Sequence, residues 1–158
     1  MSATSLDWIK QRKLTEERRT LREQLDRAQD RSASLQLKHD GPVFWANILG
    51  ELDRQIKELP SIGIEGSVAV NATEVEQFCT LNLRVVDSPW PASISTTLFY
   101  RPGAPAIRIH GENGESKLHF QIIGECLKVI ANSGTTEMDA AKAAEFIART
   151  LVNKIKPE

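Results

Sequence analysis

Hydrophobic spacing divides the chain into three regimes. Up to about Leu59 apolar residues recur at helical intervals, from about Val68 to Ala131 they alternate, and from Glu137 onward the helical interval returns. Ser5, with Asp7 in the following turn, offers one helix start, and Thr15, followed by Glu16 and Glu17, offers a second. The first stretch therefore reads as one helix over 5–36 or as a short helix followed by a longer one. The run HDGP (His39 to Pro42) is read as its end, because Gly41 supplies a turn and Pro42 suits a first helical turn. A second helix, 43–59, carries Phe44, Ile48, Leu52, Ile56 and Leu59 on one stripe and stops at Pro60 and Gly63. The last helix, 137–155, starts with Thr136 as cap and Asp139 three residues on, and lines one side with Ala140, Ala144, Ile147, Leu151 and Ile155. Alanines on that seam let its backbone sit close to the layer beneath.

The alternating region predicts an antiparallel meander. Asn113-Gly114 between two alternating runs is the strongest short hairpin signal. A two-residue loop there sets Ile109 opposite Leu118, Ile107 opposite Phe120, Arg108 opposite His119 and His110 opposite Lys117. Gly124-Glu125 makes a second tight loop, pairing Phe120 with Val129 and Ile122 with Leu127. Both registers agree on which face is apolar. Working backwards, a loop at RPGA (Arg101 to Ala104) pairs Leu98 with Ile107 and Thr96 with Ile109. A connection at DSPWPA (Asp87 to Ala92) pairs Leu81 with Leu98 and Val85 with Ile94. Strands are expected near 77–86, 93–100, 105–110, 117–123 and 126–132, with a sixth near 66–71. The expected core face holds Cys79, Leu81, Leu83, Val85, Ile94, Leu98, Ile107, Ile109, Leu118, Phe120, Ile122, Leu127 and Val129, covered by helices 43–59 and 137–155.

The fold class is thus α+β: two N-terminal helices, a five- or six-stranded antiparallel meander sheet, and a C-terminal helix packed on one sheet face. The chain divides into a helical arm, 1–38, and a single compact α+β body, 39–158. This element order is similar to that of helix-grip proteins, although the usual first strand of that fold is not visible. The resemblance implies a ligand held between helix and sheet.

Composition narrows the function. The 158 residues suit one domain, and a formal net charge of −1 argues against binding DNA by bulk charge. Cys79 and Cys126 form no CxxC pair and read as two reduced, packed thiols of a cytoplasmic protein. His39, His110 and His119 show no metal-ligand spacing, and nothing points to a cofactor. No apolar run reaches the ~20 residues of a membrane span. There is no GxSxG, no glycine-rich phosphate loop and no HExxH. His119 lies too far along the ladder from Cys126 to serve it as a base. The chain is therefore read as non-enzymatic.

Two surfaces carry the functional expectation. On the arm, Leu14, Leu21, Leu25, Ala28 and Leu35 form a thin heptad seam, and Leu6, Trp8 and Ile9 add an apolar patch near its start. From Lys10 to Arg31 there are eight basic and five acidic residues, a mixture too dilute for a major-groove arm. Thirty-two helical residues span ~48 Å against ~25 Å for the seventeen of 43–59, so a continuous arm overhangs the body. The expected role is self-association or docking to another protein chain through this helix. The alternative lies on the polar sheet face. Arg84, Arg108, His110, Lys117, His119 and Lys128 surround Phe99 there, with Phe78 nearby, and the acids fall at strand ends or in turns. Such a face suits an anionic ligand or single-stranded nucleic acid, which ranks behind a protein partner. A second alternative is a small apolar ligand between the sheet and the C-terminal helix. Trp90, in SPWPA, is read as a lid.

Overall fold

A computed structural model describes all residues except 1, 2, 87, 88, 90, 91, 113, 132, 133 and 158; the side chains of residues 3–5 also lie outside the description. The expectations for Trp90 and Asn113 fall outside the described residues. The chain divides into two compact units, Met1–Leu35 and Gln36–Glu158.

Helix α1 runs unbroken from Ala3 to Glu58, so the expected break at HDGP does not occur and the two N-terminal helices are one. It also begins ahead of Ser5, the expected cap. Pro42 sits inside the helix, where it removes one hydrogen bond and crowds the preceding turn, at ~3 kcal/mol. Burial outweighs that cost. Phe44, Trp45, Ile48, Leu52 and Ile56 are all buried just beyond Pro42, and each large apolar side chain removed from water contributes roughly 1.5–3 kcal/mol. A 3-10 turn, Leu59–Ile62, then ends at Gly63, whose N–H donates to the Leu59 and Pro60 carbonyls.

Six strands follow: β1 Ile64–Ala72, β2 Gln77–Val85, β3 Ser93–Tyr100, β4 Ala106–Gly111, β5 Gly114–Ile123 and β6 Cys126–Ala131. They form one antiparallel sheet in the order β1-β2-β3-β4-β5-β6. Helix α2, Ala140–Ile155, packs on it against β2, β3 and β6. The α+β class, the meander and the C-terminal helix are as expected.

The β5–β6 register is also as expected, with Phe120 opposite Val129 and Ile122 opposite Leu127. Gly124 and Glu125 both have positive φ, 55° and 68°, as a two-residue type I′ turn requires. The other three registers slide by two residues. Ile109 faces Ser116 rather than Leu118, and Ile107 faces Leu118. Leu98 faces Ile109, and Cys79 faces Leu98. A slide of two leaves every side chain on its face because the pleat repeats every two residues. The β4–β5 ladder closes with Gly111 opposite Gly114, two residues off the expected register.

Among the expected core residues, Ile109, Phe120 and Leu127 are half-buried against the core and Ile122 is half-buried, while the rest are buried. Tyr100 joins them, its ring stacked on Trp45 with centroids 5.3 Å apart. Phe44 meets Phe120 edge-on at 5.5 Å. Two close approaches let α1 lie on the sheet. A Cβ on Gly41 would come within 2.5 Å of the Tyr100 hydroxyl, and one on Gly66 within 2.8 Å of Ile56. The Trp45 Nε1 and Tyr100 hydroxyl are buried without a hydrogen-bond partner among the described residues.

Helix α2 starts later than expected. Its N-cap is Asp139, whose carboxylate accepts from the Lys142 N–H at 2.8 Å. Residue 138 is still extended because Met138 and Val129 exchange backbone hydrogen bonds of 2.8 and 2.9 Å, which lay the chain along the outer edge of β6.

Candidate functional site: an exposed helical stripe and a polar sheet face

Helix propensity and paired charges support α1 ahead of residue 36. Arg12–Glu16 and Arg19–Glu23 stand as ion pairs of 3.6 and 3.7 Å, one helical turn apart. The Thr15 and Thr20 hydroxyls donate back to the Gln11 and Glu16 carbonyls. At about 100° per residue these ion pairs fall opposite Leu14, Leu21, Leu25, Ala28 and Leu35, which share a stripe about 80° wide. Leu6, Trp8, Ile9, Leu14, Leu21, Leu25 and Leu35 are between 47% and 66% exposed, and Ala28 is exposed. Trp8 and Ile9 point to other sides of the helix than the stripe. Glu17 and Ser32 fall within the same stripe and interrupt it, and of the patch near the start only Leu6 borders it.

The polar sheet face belongs to Gln36–Glu158. Its charge is not all basic, contrary to expectation. Arg84 pairs with Glu65 across from β1, and Arg108 pairs with Glu76. His110 lies 3.6 Å from Glu115, which is its partner in the β4–β5 ladder and sits within β5 rather than in a turn. The two-residue slide brings Glu115 opposite His110 and Lys117 opposite Arg108. Phe99 is engaged on several sides: Phe78 edge-on at 5.2 Å, His110 at 4.8 Å and the Arg108 guanidinium 5.0 Å from its centroid. Little of that ring is left as a stacking platform. Lys117 and His119 are exposed, and Lys128 is half-buried on β6 opposite Gln121.

The positive charge that remains gathers at one end of β3 and β4. Arg101, Arg108 and Lys117 line a hollow of ≈330 Å³ with Glu76 and Phe99. Three cations meet one carboxylate there. The sequence reading missed Arg101, although its place directly after β3, in the loop returning to β4, puts it beside Arg108.

Between α2 and the sheet lies a half-open cavity of ≈200 Å³ lined by Thr96, Ile109, Phe146, Ile147, Thr150 and Lys154. Small-molecule sites are commonly ~300–1,000 Å³, so this one admits only a small molecule. Both thiols are free. Cys79 is buried, which pushes its pKa up to about 11. Cys126 is exposed, pairing with Ile123 while His119 pairs with Ile130. Among the described residues no three His, Cys, Asp or Glu side chains gather to hold a metal ion, and no helix is long and apolar enough to cross a membrane. The chain matches no protein-family model, no curated protein and no solved structure.

Proposed function

We propose that this is a non-enzymatic association protein of the cytoplasm, and that the α1 stripe of residues 14–35 is taken by a second copy of the chain. The observation that carries the reading is the exposure of Leu14, Leu21, Leu25 and Leu35 along one side of a helix whose charges are paired on the other. Burying the exposed part of eight such leucines between two chains contributes up to roughly 7–14 kcal/mol, against an association cost of ~4–15 kcal/mol. Leu6, Trp8 and Ile9 add apolar surface beyond the stripe. Two free thiols support the reducing compartment.

Sedimentation of the full chain and of the L21E/L25E variant tests the reading. The chain is 17.6 kDa. The expected result is self-association of the native sequence that L21E/L25E weakens or reduces to a smaller assembly. A native chain that sediments at 17.6 kDa up to hundreds of micromolar, or a variant whose assembly size and concentration dependence equal those of the native chain, overturns it.

A second reading rests on the hollow at Arg101, Arg108 and Lys117: an anionic ligand held by charge rather than by base stacking. Titration with inorganic phosphate and with a short oligothymidylate at two salt concentrations tests it. R101A and K117A should weaken binding and flatten its salt dependence, while R84A, whose partner Glu65 stands elsewhere on the face, should leave it unchanged. No binding at low salt removes the reading.

A further inference from the structure

We infer that β1 is a second self-association surface, on which two copies pair edge to edge about a two-fold axis at Val68. This surface is separate from the helical stripe, and neither needs the other.

β1 is an outermost strand of the sheet, and eight of its nine residues are half-buried or exposed. Ladder parity identifies which of its backbone groups are unused. The Val86 N–H donates to the Gly63 carbonyl, and the Val85 N–H donates to the Ala92 carbonyl. Even-numbered residues of β2 therefore bond to β1 and odd-numbered ones to β3. With Glu65 opposite Arg84 and Ser67 opposite Asn82, the odd residues of β1 bond inward. The N–H and C=O groups of Ile64, Gly66, Val68, Val70 and Ala72 point outward, away from the sheet.

Such an edge is commonly blunted by proline, a bulge or charge. This one has none of the three over most of its length. Its ladder with β2 runs without interruption from Ile64↔Val85 to Ala72↔Gln77, and from Gly66 to Thr73 the sequence GSVAVNAT contains no charge and no proline. Val70 is 53% exposed.

The strand is complementary to itself. In an antiparallel pair with Val68 opposite the partner's Val68, Gly66 meets Val70, Ile64 meets Ala72, and all nine residues are used. On the other face Ser67 meets Ala69 and Glu65 meets Asn71, so the single charge never opposes its copy. The other end of the sheet does not offer a matching edge. Val129 on β6 already exchanges its hydrogen bonds with Met138. A β1-to-β6 contact, which would propagate head to tail, is blocked, so the β1 edge pairs with its own copy.

Amide hydrogen exchange on the full chain reads this surface directly. The outward amides of Gly66, Val68 and Val70 should exchange at least tenfold more slowly at high protein concentration than at low, and should do so in L21E/L25E as well. V68K and V68E, each alone, should lose that protection, because like charges meet on the axis. Mixing the two should restore it, because Lys then faces Glu. Fast exchange of these amides in the native chain at every concentration overturns the proposal whether or not the variants fold. So does protection that V68K leaves intact, or a mixture that recovers none.

Discussion

The buried contact between Gly41 and Tyr100 makes a quantitative prediction about why α1 tolerates glycine in mid-helix. An alanine Cβ at 41 would lie 2.5 Å from the Tyr100 hydroxyl oxygen. That oxygen cannot swing aside, because the ring is 1% exposed, stacked on Trp45 and edge-on to Phe120 at 6.3 Å. Overpacking of this kind costs about 1–3 kcal/mol. Two other terms act at position 41: alanine gains up to ~1 kcal/mol in helix propensity, and its Cβ crowds Pro42. Neither involves Tyr100. Y100F removes the oxygen, and the next atom, a ring carbon at 3.6 Å, is in ordinary contact. The Gly103 backbone lies near the hydroxyl without full hydrogen-bond geometry, so loss of the hydroxyl should change stability by no more than about 1 kcal/mol. Urea unfolding of the native chain, G41A, Y100F and G41A/Y100F isolates the clash, since the propensity and proline terms cancel in the cycle. The expected coupling is about 1–3 kcal/mol, with G41A more costly beside Tyr100 than in the Y100F background. Additivity within ~0.5 kcal/mol would refute the reasoning.

Other expectations follow from the caps, turns and thiols. D139A removes the side-chain acceptor from the Lys142 N–H and should cost ~1 kcal/mol in thermal or urea unfolding, with D139N recovering most of it. Glu125 sits at φ 68°, which costs a residue with a Cβ about 1–2 kcal/mol and Asn less, so E125N should stabilise by roughly 0.5–1 kcal/mol and leave the β5–β6 amides protected. The buried Cys79 thiol is raised from 9.0 to about 11. An unfolded thiol loses its proton first, so the stabilisation is full below pH 9 and disappears as pH rises through about 11, a loss on the order of 2–3 kcal/mol. C79A should flatten that window, and a thiol reagent at neutral pH should modify Cys126 alone until the chain unfolds.

What the sequence made legible was set by periodicity. Alternation names the face of a strand residue but not its position along the neighbour, so the core face was right while three registers slid by two. The β5–β6 register was readable because Gly124-Glu125 constrains the turn itself. Proline and glycine in HDGP carry strong local signals for a helix end, and the opposing term, burial of Trp45 and Ile48 beyond them, is a tertiary quantity. For the same reason Glu115 was misplaced and Glu65 overlooked among the acids of the sheet face. Glu65 reaches Arg84 only because β1 pairs with β2, and Glu115 meets His110 only in the observed β4–β5 register. The exposed leucines needed no tertiary knowledge, since a narrow stripe among paired charges can be counted in one dimension.

The placement of charge then separates the surfaces by the kind of partner each fits. On α1 the ion pairs lie opposite the leucines and Glu17 is the charge that falls within the stripe, so association through it should change only modestly with salt. On β1 the edge from Gly66 to Thr73 carries no charge at all, and its gain comes from backbone hydrogen bonds. On the sheet face Arg84 and Arg108 each meet an acid, Glu65 and Glu76, which cancels their field beyond about a Debye length of ~8 Å. Where Arg101 and Lys117 flank the already paired Arg108, positive charge exceeds negative within one hollow of that face. An anionic ligand on the sheet face would therefore meet that corner, whereas the proposed surfaces on α1 and β1 would be read by apolar shape and by strand pairing.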